Sequence, residues 1–264
     1  MSCRRYPGPQ QLREDRIQSH FINASRNIHN EPVRTQLNMN EQQDKPIVHF
    51  LHIGKTGGSA VKYSINHSCT ESPYQIMFHS HGVKLRNIPG GEKVIFILRD
   101  PVSRFVSGFY SRLRKGKPRY YNPWNSGEKA AFSIFTTPNH LAGALSSWNL
   151  IRRYKAHAAM SRIQHLRNSY VKWLESEAYL LSRQDDILFI AFQERLVNDF
   201  EILKKILGCP ASASLPVDDR AAHRSPDDHD TRMDKRAVSN IKKWYRHDYH
   251  FIDVAWQIRN NLEI

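Results

Sequence analysis

One short stretch concentrates groups that bind and move anions. His52-Ile53-Gly54-Lys55-Thr56-Gly57-Gly58-Ser59-Ala60 follows a β-rich apolar run and opens a helical one. A glycine turn at a helix N-terminus aims several backbone N–H groups at one point and adds the positive end of the helix dipole, which together bind phosphate. Lys55 supplies a point charge there; Thr56 and Ser59 supply hydroxyls. The stretch is not a Walker A loop. Gly54-Lys55-Thr56 matches its second half, but the first glycine would have to stand at position 49, which is His49.

Three further groups have the types that chemistry needs. Arg99 ends an apolar run, and Ser107 lies eight residues later in Arg99-Asp100-Pro101-Val102-Ser103-Arg104-Phe105-Val106-Ser107. His79-Ser80-His81 offers two side chains whose ordinary pKa, about 6.5, suits a general base. Glu194 is a rival base, although a carboxylate in the first turn of a helix also stabilises the dipole with no catalysis. His223-Arg224-Ser225 lies in a polar loop, and His165 and Arg167 on a polar helix face. No cysteine or third ligand is spaced to make His79 and His81 a metal pair, so no metal is expected.

Elements that would hold these groups are legible in the pattern. Residues 47–53, 74–78, 94–98 and 187–192 read as strands, and the continuous apolar run at 94–98 suits a strand covered on both faces. Helices are expected over 60–67, 101–115 (with Asp100 as N-cap and Pro101 at the first position), 128–135, 139–147, 150–181, 194–207, 234–246 and 250–259. Strands alternating with helices imply an α/β fold with a parallel sheet in one domain. Residues 1–45 are polar and unpatterned and read as a flexible extension with one short helix near 10–26; residues 46–264 form the domain.

The net charge is +14, of which residues 1–46 carry only +2. Residues 99–119 hold seven cations against Asp100 alone. Such a basic protein favours an anionic partner: a nucleotide, an acidic glycan, a lipid surface or nucleic acid. No apolar run approaches the ~20 residues of a membrane helix, and the first residues do not read as a signal peptide or anchor. Three cysteines are too few and too scattered for a disulfide framework or a zinc cluster; Cys69 and Cys209 read as small structural residues. The expected setting is cytoplasmic. A Golgi-type membrane location would fit only a truncated or atypical chain.

The order of these motifs resembles the sulfotransferases that use 3′-phosphoadenosine 5′-phosphosulfate (PAPS), in particular the carbohydrate and heparan-uronyl 2-O-sulfotransferase type. The resemblance spans residues 47 to about 256. Glu194-Arg195-Leu196 after a late strand and Trp244-Tyr245-Arg246-His247-Asp248-Tyr249 also carry it, while 116–170 matches loosely. It implies a P-loop-like sheet flanked by helices and in-line transfer of a sulfuryl group, with no metal, to a hydroxyl or amine of a carbohydrate or small molecule. Lys55 would neutralise charge on the bridging oxygen. Thr56, Gly57, Gly58, Ser59 and Ala60 would hold the 5′-phosphate; Arg99 and Ser107 the 3′-phosphate; Arg224 and Ser225 would close over the nucleotide. His81 is the first candidate base and His79 the second. Two other readings compete: a P-loop kinase or NTPase, and a polyanion-binding protein without helix-turn-helix, zinc-finger or RNP motifs.

Overall fold

The structure, a computed structural model, describes residues 45–118, 120–217 and 230–262. All of them belong to one compact unit, residues 44–264. The expected extension and its short helix, and Arg224 and Ser225, lie outside the described residues.

Four strands, β1 (Ile47–Leu51), β2 (Gln75–Phe78), β3 (Lys93–Leu98) and β4 (Ile187–Phe192), form one parallel sheet in the order β2-β1-β3-β4. Phe50 pairs with Phe78 on one side and Ile95 on the other. β1, β3 and β4 bury both faces, as strands inside a parallel sheet do, while β2 is an edge strand with Gln75 and Met77 exposed. Val48, Phe50, Ile95, Ile97, Phe189 and Ala191 face α1 (Gly58–Ser68) and α8 (Leu196–Ile206). Leu51, Val94, Phe96, Leu98, Ile190 and Phe192 face the other helices of the sheet: α6 (Val171–Leu174), α7 (Glu177–Ser182) and α10 (Arg246–Asn260). A third apolar cluster, away from the sheet, joins α2 (Pro101–Leu113), α3 (Ser126–Phe132), α4 (Pro138–Ala144), α5 (Leu150–Arg162) and α9 (Lys235–Trp244).

The helix expected over 150–181 is three helices. Ile163 and Leu166 pack in the helical cluster, whereas Tyr170, Trp173 and Leu174 pack on the sheet. One straight rod cannot serve both cores. The chain turns after Arg162, and Ser176 caps α7 by accepting from the Tyr179 N–H at 3.1 Å.

Cys69 and Cys209, read from the sequence as small structural residues, are joined in a disulfide that the sequence reading did not expect. Their separation of 140 residues hides the pairing in the sequence. Cys69 caps the C-terminus of α1 and Cys209 follows α8, two helices on the same face of the sheet. Among the described residues no helix is long and apolar enough to cross a membrane.

Candidate active site

The strand order creates the site. β1 leads through α1 to β2 on one side, and β3 leads on to β4 on the other. The crevice beyond the carboxyl ends of β1 and β3 is therefore the topological switch point, where open α/β sheets bind ligands. Two of the stretches singled out in the sequence stand there: the glycine loop follows β1, and Arg99 follows β3. A cleft of about 1560 Å³ opens above them, lined by Lys55, Gly57, Gly58, Ser59, Ala60, Arg99 and Ser107 together with His79 and His81. Pockets for drug-sized ligands run to roughly 300–1,000 Å³, so this cleft is larger than a single-ligand pocket.

Two residues of the loop adopt left-handed backbone: Lys55 at φ 69° and Gly57 at φ 90°. For a lysine this costs on the order of 1 kcal/mol. A Cβ on Gly57 would come within 3.1 Å of Leu196 Cδ2, and one on Gly58 within 3.0 Å of the His52 ring. Gly57 brings no side-chain cap to α1, and no acidic residue stands in its first turn. The helix N-terminus thus faces the cleft with its positive end uncompensated. Ser59 lines the cleft, and the Ala60 N–H closes the turn on Gly57 O at 3.1 Å. Thr56 differs from its expected role. It is buried, and its hydroxyl donates to Ile53 O at 2.9 Å, so its side chain builds the loop.

Lys55 is half-buried, and burial together with the Arg114 and Arg99 cations lowers its pKa to about 8. Arg99 is held through its backbone and its guanidinium, whose Nη1 donates to Lys55 O at 3.4 Å. Its N–H donates to the Tyr170 hydroxyl at 2.9 Å, and that hydroxyl donates back to Arg99 O. Its Nε donates to Ser103 Oγ at 2.8 Å. The expected partner Ser107 lines the cleft one turn beyond Ser103. Ser103 is thus a site residue that the sequence reading missed; its signal was the four-residue spacing to Ser107, which puts both on one helix face.

The cleft's cations include Lys62, Lys172 and Arg195 besides Lys55 and Arg99; among the described residues its only carboxylates are Asp100 and Glu194. Both are committed to the start of α2. Asp100 Oδ1 accepts from the Ser103 N–H at 2.9 Å, and Glu194 Oε1 accepts from the Asp100 N–H at 2.9 Å. Glu194 works here as a second cap for α2.

The two candidate bases stand in different settings. His81 Nδ1 donates to the His52 carbonyl at 3.1 Å; a carbonyl only accepts, so the neutral ring carries its lone pair on Nε2. The His52 and His81 rings lie 3.9 Å apart, and Trp173 Nε1 donates to His81 O at 3.0 Å. His79 ends a chain of three groups. Glu92 accepts from His49 Nε2, and His49 Nδ1 meets His79 Nε2 at 2.7 Å. With neutral rings, His49 accepts from His79, whose lone pair then sits on Nδ1. Burial, His49 and Lys62 hold the His79 pKa below 6.5. His49 and Glu92 were not singled out in the sequence, because a histidine inside an apolar strand gives no local sign of its partner.

His165 lines the cleft, but burial and the Lys55 and Arg112 cations lower its pKa to about 3. It faces the site as a neutral ring. Among the described residues, Glu177, His247 and His250 offer ligand atoms within 4.8 Å of one another, and none of the three lines the cleft. No protein-family model and no curated protein matches this chain, so the reading of the cleft rests on its own geometry.

Proposed function

We propose that this chain is a PAPS-dependent sulfotransferase that moves a sulfuryl group to a hydroxyl or amine acceptor, a carbohydrate or a small molecule. The observation that carries the reading is the meeting, at one crevice, of the Lys55 glycine loop with Arg99 and Ser107. The first suits a 5′-phosphosulfate, and the second a 3′-phosphate beside it. The Gly58 and Ser59 amides and the Ser59 hydroxyl hold the 5′-phosphate. Arg99, released from Ser103, pairs with the 3′-phosphate. The acceptor oxygen or nitrogen attacks sulfur in line, the bond from sulfur to the bridging oxygen breaks, and the bisphosphate leaves. Lys55 stabilises the negative charge growing on that oxygen, an interaction stronger in the transition state than in the ground state. His81 or His79 takes the acceptor proton. The Cys69–Cys209 disulfide favours an oxidising compartment over the cytoplasm.

Thermal unfolding with three ligands tests the reading. 3′-Phosphoadenosine 5′-phosphate without metal should raise the melting temperature strongly. Stabilisation by ATP with magnesium alone would favour a kinase or NTPase, and stabilisation by an oligonucleotide alone a polyanion binder.

A further inference from the structure

The N-terminal end of α5 carries an apolar ridge on the side away from the core. Trp148, just before the helix, is 98% exposed, and Leu150, Ile151 and Tyr154 are 65%, 68% and 71% exposed. Scattered single apolar residues on a surface are ordinary; four large ones within seven positions are not. The helix buries Ala156, Ala159 and Met160. At about 100° per residue, Leu150, Tyr154 and Ile151 fall within roughly 100° of arc, and the centre of that arc lies about 180° from the centre of the buried one. The exposed cations Lys155 and Arg153 lie on its two flanks. Asn149 fixes the first turn by accepting from the Arg152 N–H at 2.9 Å, so the ridge is presented on an ordered helix.

We propose that this ridge docks the protein on the surface of an anionic lipid bilayer. The charge pattern selects the occupant. Trp, Tyr, Leu and Ile suit the boundary between headgroups and acyl chains, while cations on both flanks reach the phosphates. The first turn of α5 is exposed on all sides. A convex ridge of this kind needs a matching groove on a protein partner, but none on a bilayer, which deforms around it. A second copy is disfavoured because an isologous contact would bring the two cationic flanks, each on a +14 chain, together. Docking needs no helix that crosses the membrane and is independent of the activity proposed above.

The test uses the full chain and vesicles of phosphatidylcholine with or without phosphatidylserine. Co-sedimentation should show binding to the serine-containing vesicles and little to the neutral ones. Trp148→Ser with Ile151→Ser should reduce binding roughly tenfold or more, and Arg153→Gln with Lys155→Gln by roughly fivefold per charge. Lipids brominated near the headgroup should quench fluorescence in the wild type more than in Trp148→Ser. The wild-type quenching decides the matter even if a double variant fails to fold. Three outcomes overturn the proposal: no binding to anionic vesicles, binding unchanged in the apolar variant, or a dimer by light scattering that the apolar variant dissolves. Ridge-dependent binding of polyglutamate with no binding of vesicles would assign the ridge to an acidic protein instead.

Discussion

Arg104 Nε donates to the carbonyl oxygen of Gly54 at 3.1 Å, across fifty residues of sequence. The same guanidinium donates to Asn168 O at 2.7 Å and meets Asp248 Oδ2 at 3.4 Å, with its face toward Tyr170 and Trp173. It therefore ties the first residue of the glycine loop to α2, to the segment before α6 and to α10. By composition Arg104 is one more cation in a basic stretch. In the fold it is 4% exposed and holds the loop that presents Lys55.

Removing Arg104 should destabilise the protein and disorder the loop together. Arg104→Gln leaves Asp248 buried without its cation, and breaking a buried pair in this way costs about 3–5 kcal/mol. Burial already raises the Asp248 pKa to about 6. A carboxyl whose folded pKa lies above its unfolded value near 3.9 holds a proton that the unfolded chain has released. Stability therefore falls as pH rises between those values. The variant, with the opposing cation gone, should show a larger loss at pH 8 than at pH 5. Urea unfolding at the two pH values checks this; an equal loss would mean that Asp248 is not the group exposed by the change.

Lys55→Ala should lower turnover by on the order of 10²–10³ or more, since it removes charge stabilisation specific to the transition state. The wild type adds a pH signature. With its pKa near 8, Lys55 is largely neutral above that pH in the free protein. The affinity for 3′-phosphoadenosine 5′-phosphate should then fall as pH rises past 8, with proton uptake on binding. The stability sign is opposite: between about 8 and 10.5 the unfolded chain keeps the proton that the folded one has lost, so unliganded stability rises with pH. Calorimetry in two buffers of different ionisation heat measures the uptake. Its persistence in Lys55→Ala would assign it to another group.

Arg99→Ala and Ser107→Ala should weaken 3′-phosphoadenosine 5′-phosphate much more than adenosine 5′-phosphosulfate, which lacks the 3′-phosphate. The arginine should cost roughly 1.5–3 kcal/mol and the serine less. Ser103→Ala should be mild, because Arg99 gives up that contact when it pairs with phosphate. Equal losses for the two nucleotides would make Arg99 a structural residue.

Much of this site was legible before the fold, and the reasons are local. The glycine loop, the Asp100-Pro101 cap and the apolar strand at 94–98 are each decided within a few residues of chain, and the structure forms an element at each of them. The rest depends on partners far away. Thr56 turns inward because Ile53 O needs a donor, Glu194 is drawn to the Asp100 N–H, and His49 meets Glu92 only once β1 and β3 pair. The break of residues 150–181 into three helices follows from two separate cores, which no single periodicity displays.

The Cys69–Cys209 disulfide should contribute roughly 2–5 kcal/mol, at the upper end for a chain loop of 140 residues. Chemical unfolding of the wild type with and without reductant, beside Cys69→Ser/Cys209→Ser, measures it. The reduced wild type and the double variant should unfold at the same, lower denaturant concentration. If reductant leaves the midpoint of the wild type unchanged, the bridge does not form in solution, and the argument for an oxidising compartment goes with it.

The two histidines can be separated through residues that touch neither substrate. His81→Ala should lower turnover by about 10²–10⁴-fold with nucleotide affinity kept, because a base acts on the acceptor. His79→Ala should be milder if His81 is the base. The Glu92–His49 pair supplies the independent readout, since it contacts His79 alone of the two. A base must be neutral, so its activity is lost as pH falls through its pKa. If His79 is the base, the acid limb of the pH–rate profile lies below 6.5. Glu92→Gln should then move it lower still, because a lost carboxylate destabilises the charged imidazole. If His81 is the base, Glu92→Gln leaves the limb where it was, whatever it does to the rate. A silent Glu92→Gln with an inactive His81→Ala assigns proton removal to His81 Nε2. A shifted limb with an active His81→Ala assigns it to His79, with His49 and Glu92 as its positioning residues. Full activity in both histidine variants, with Glu194→Gln inactive, would move the base to Glu194 despite its hydrogen bond to the Asp100 N–H.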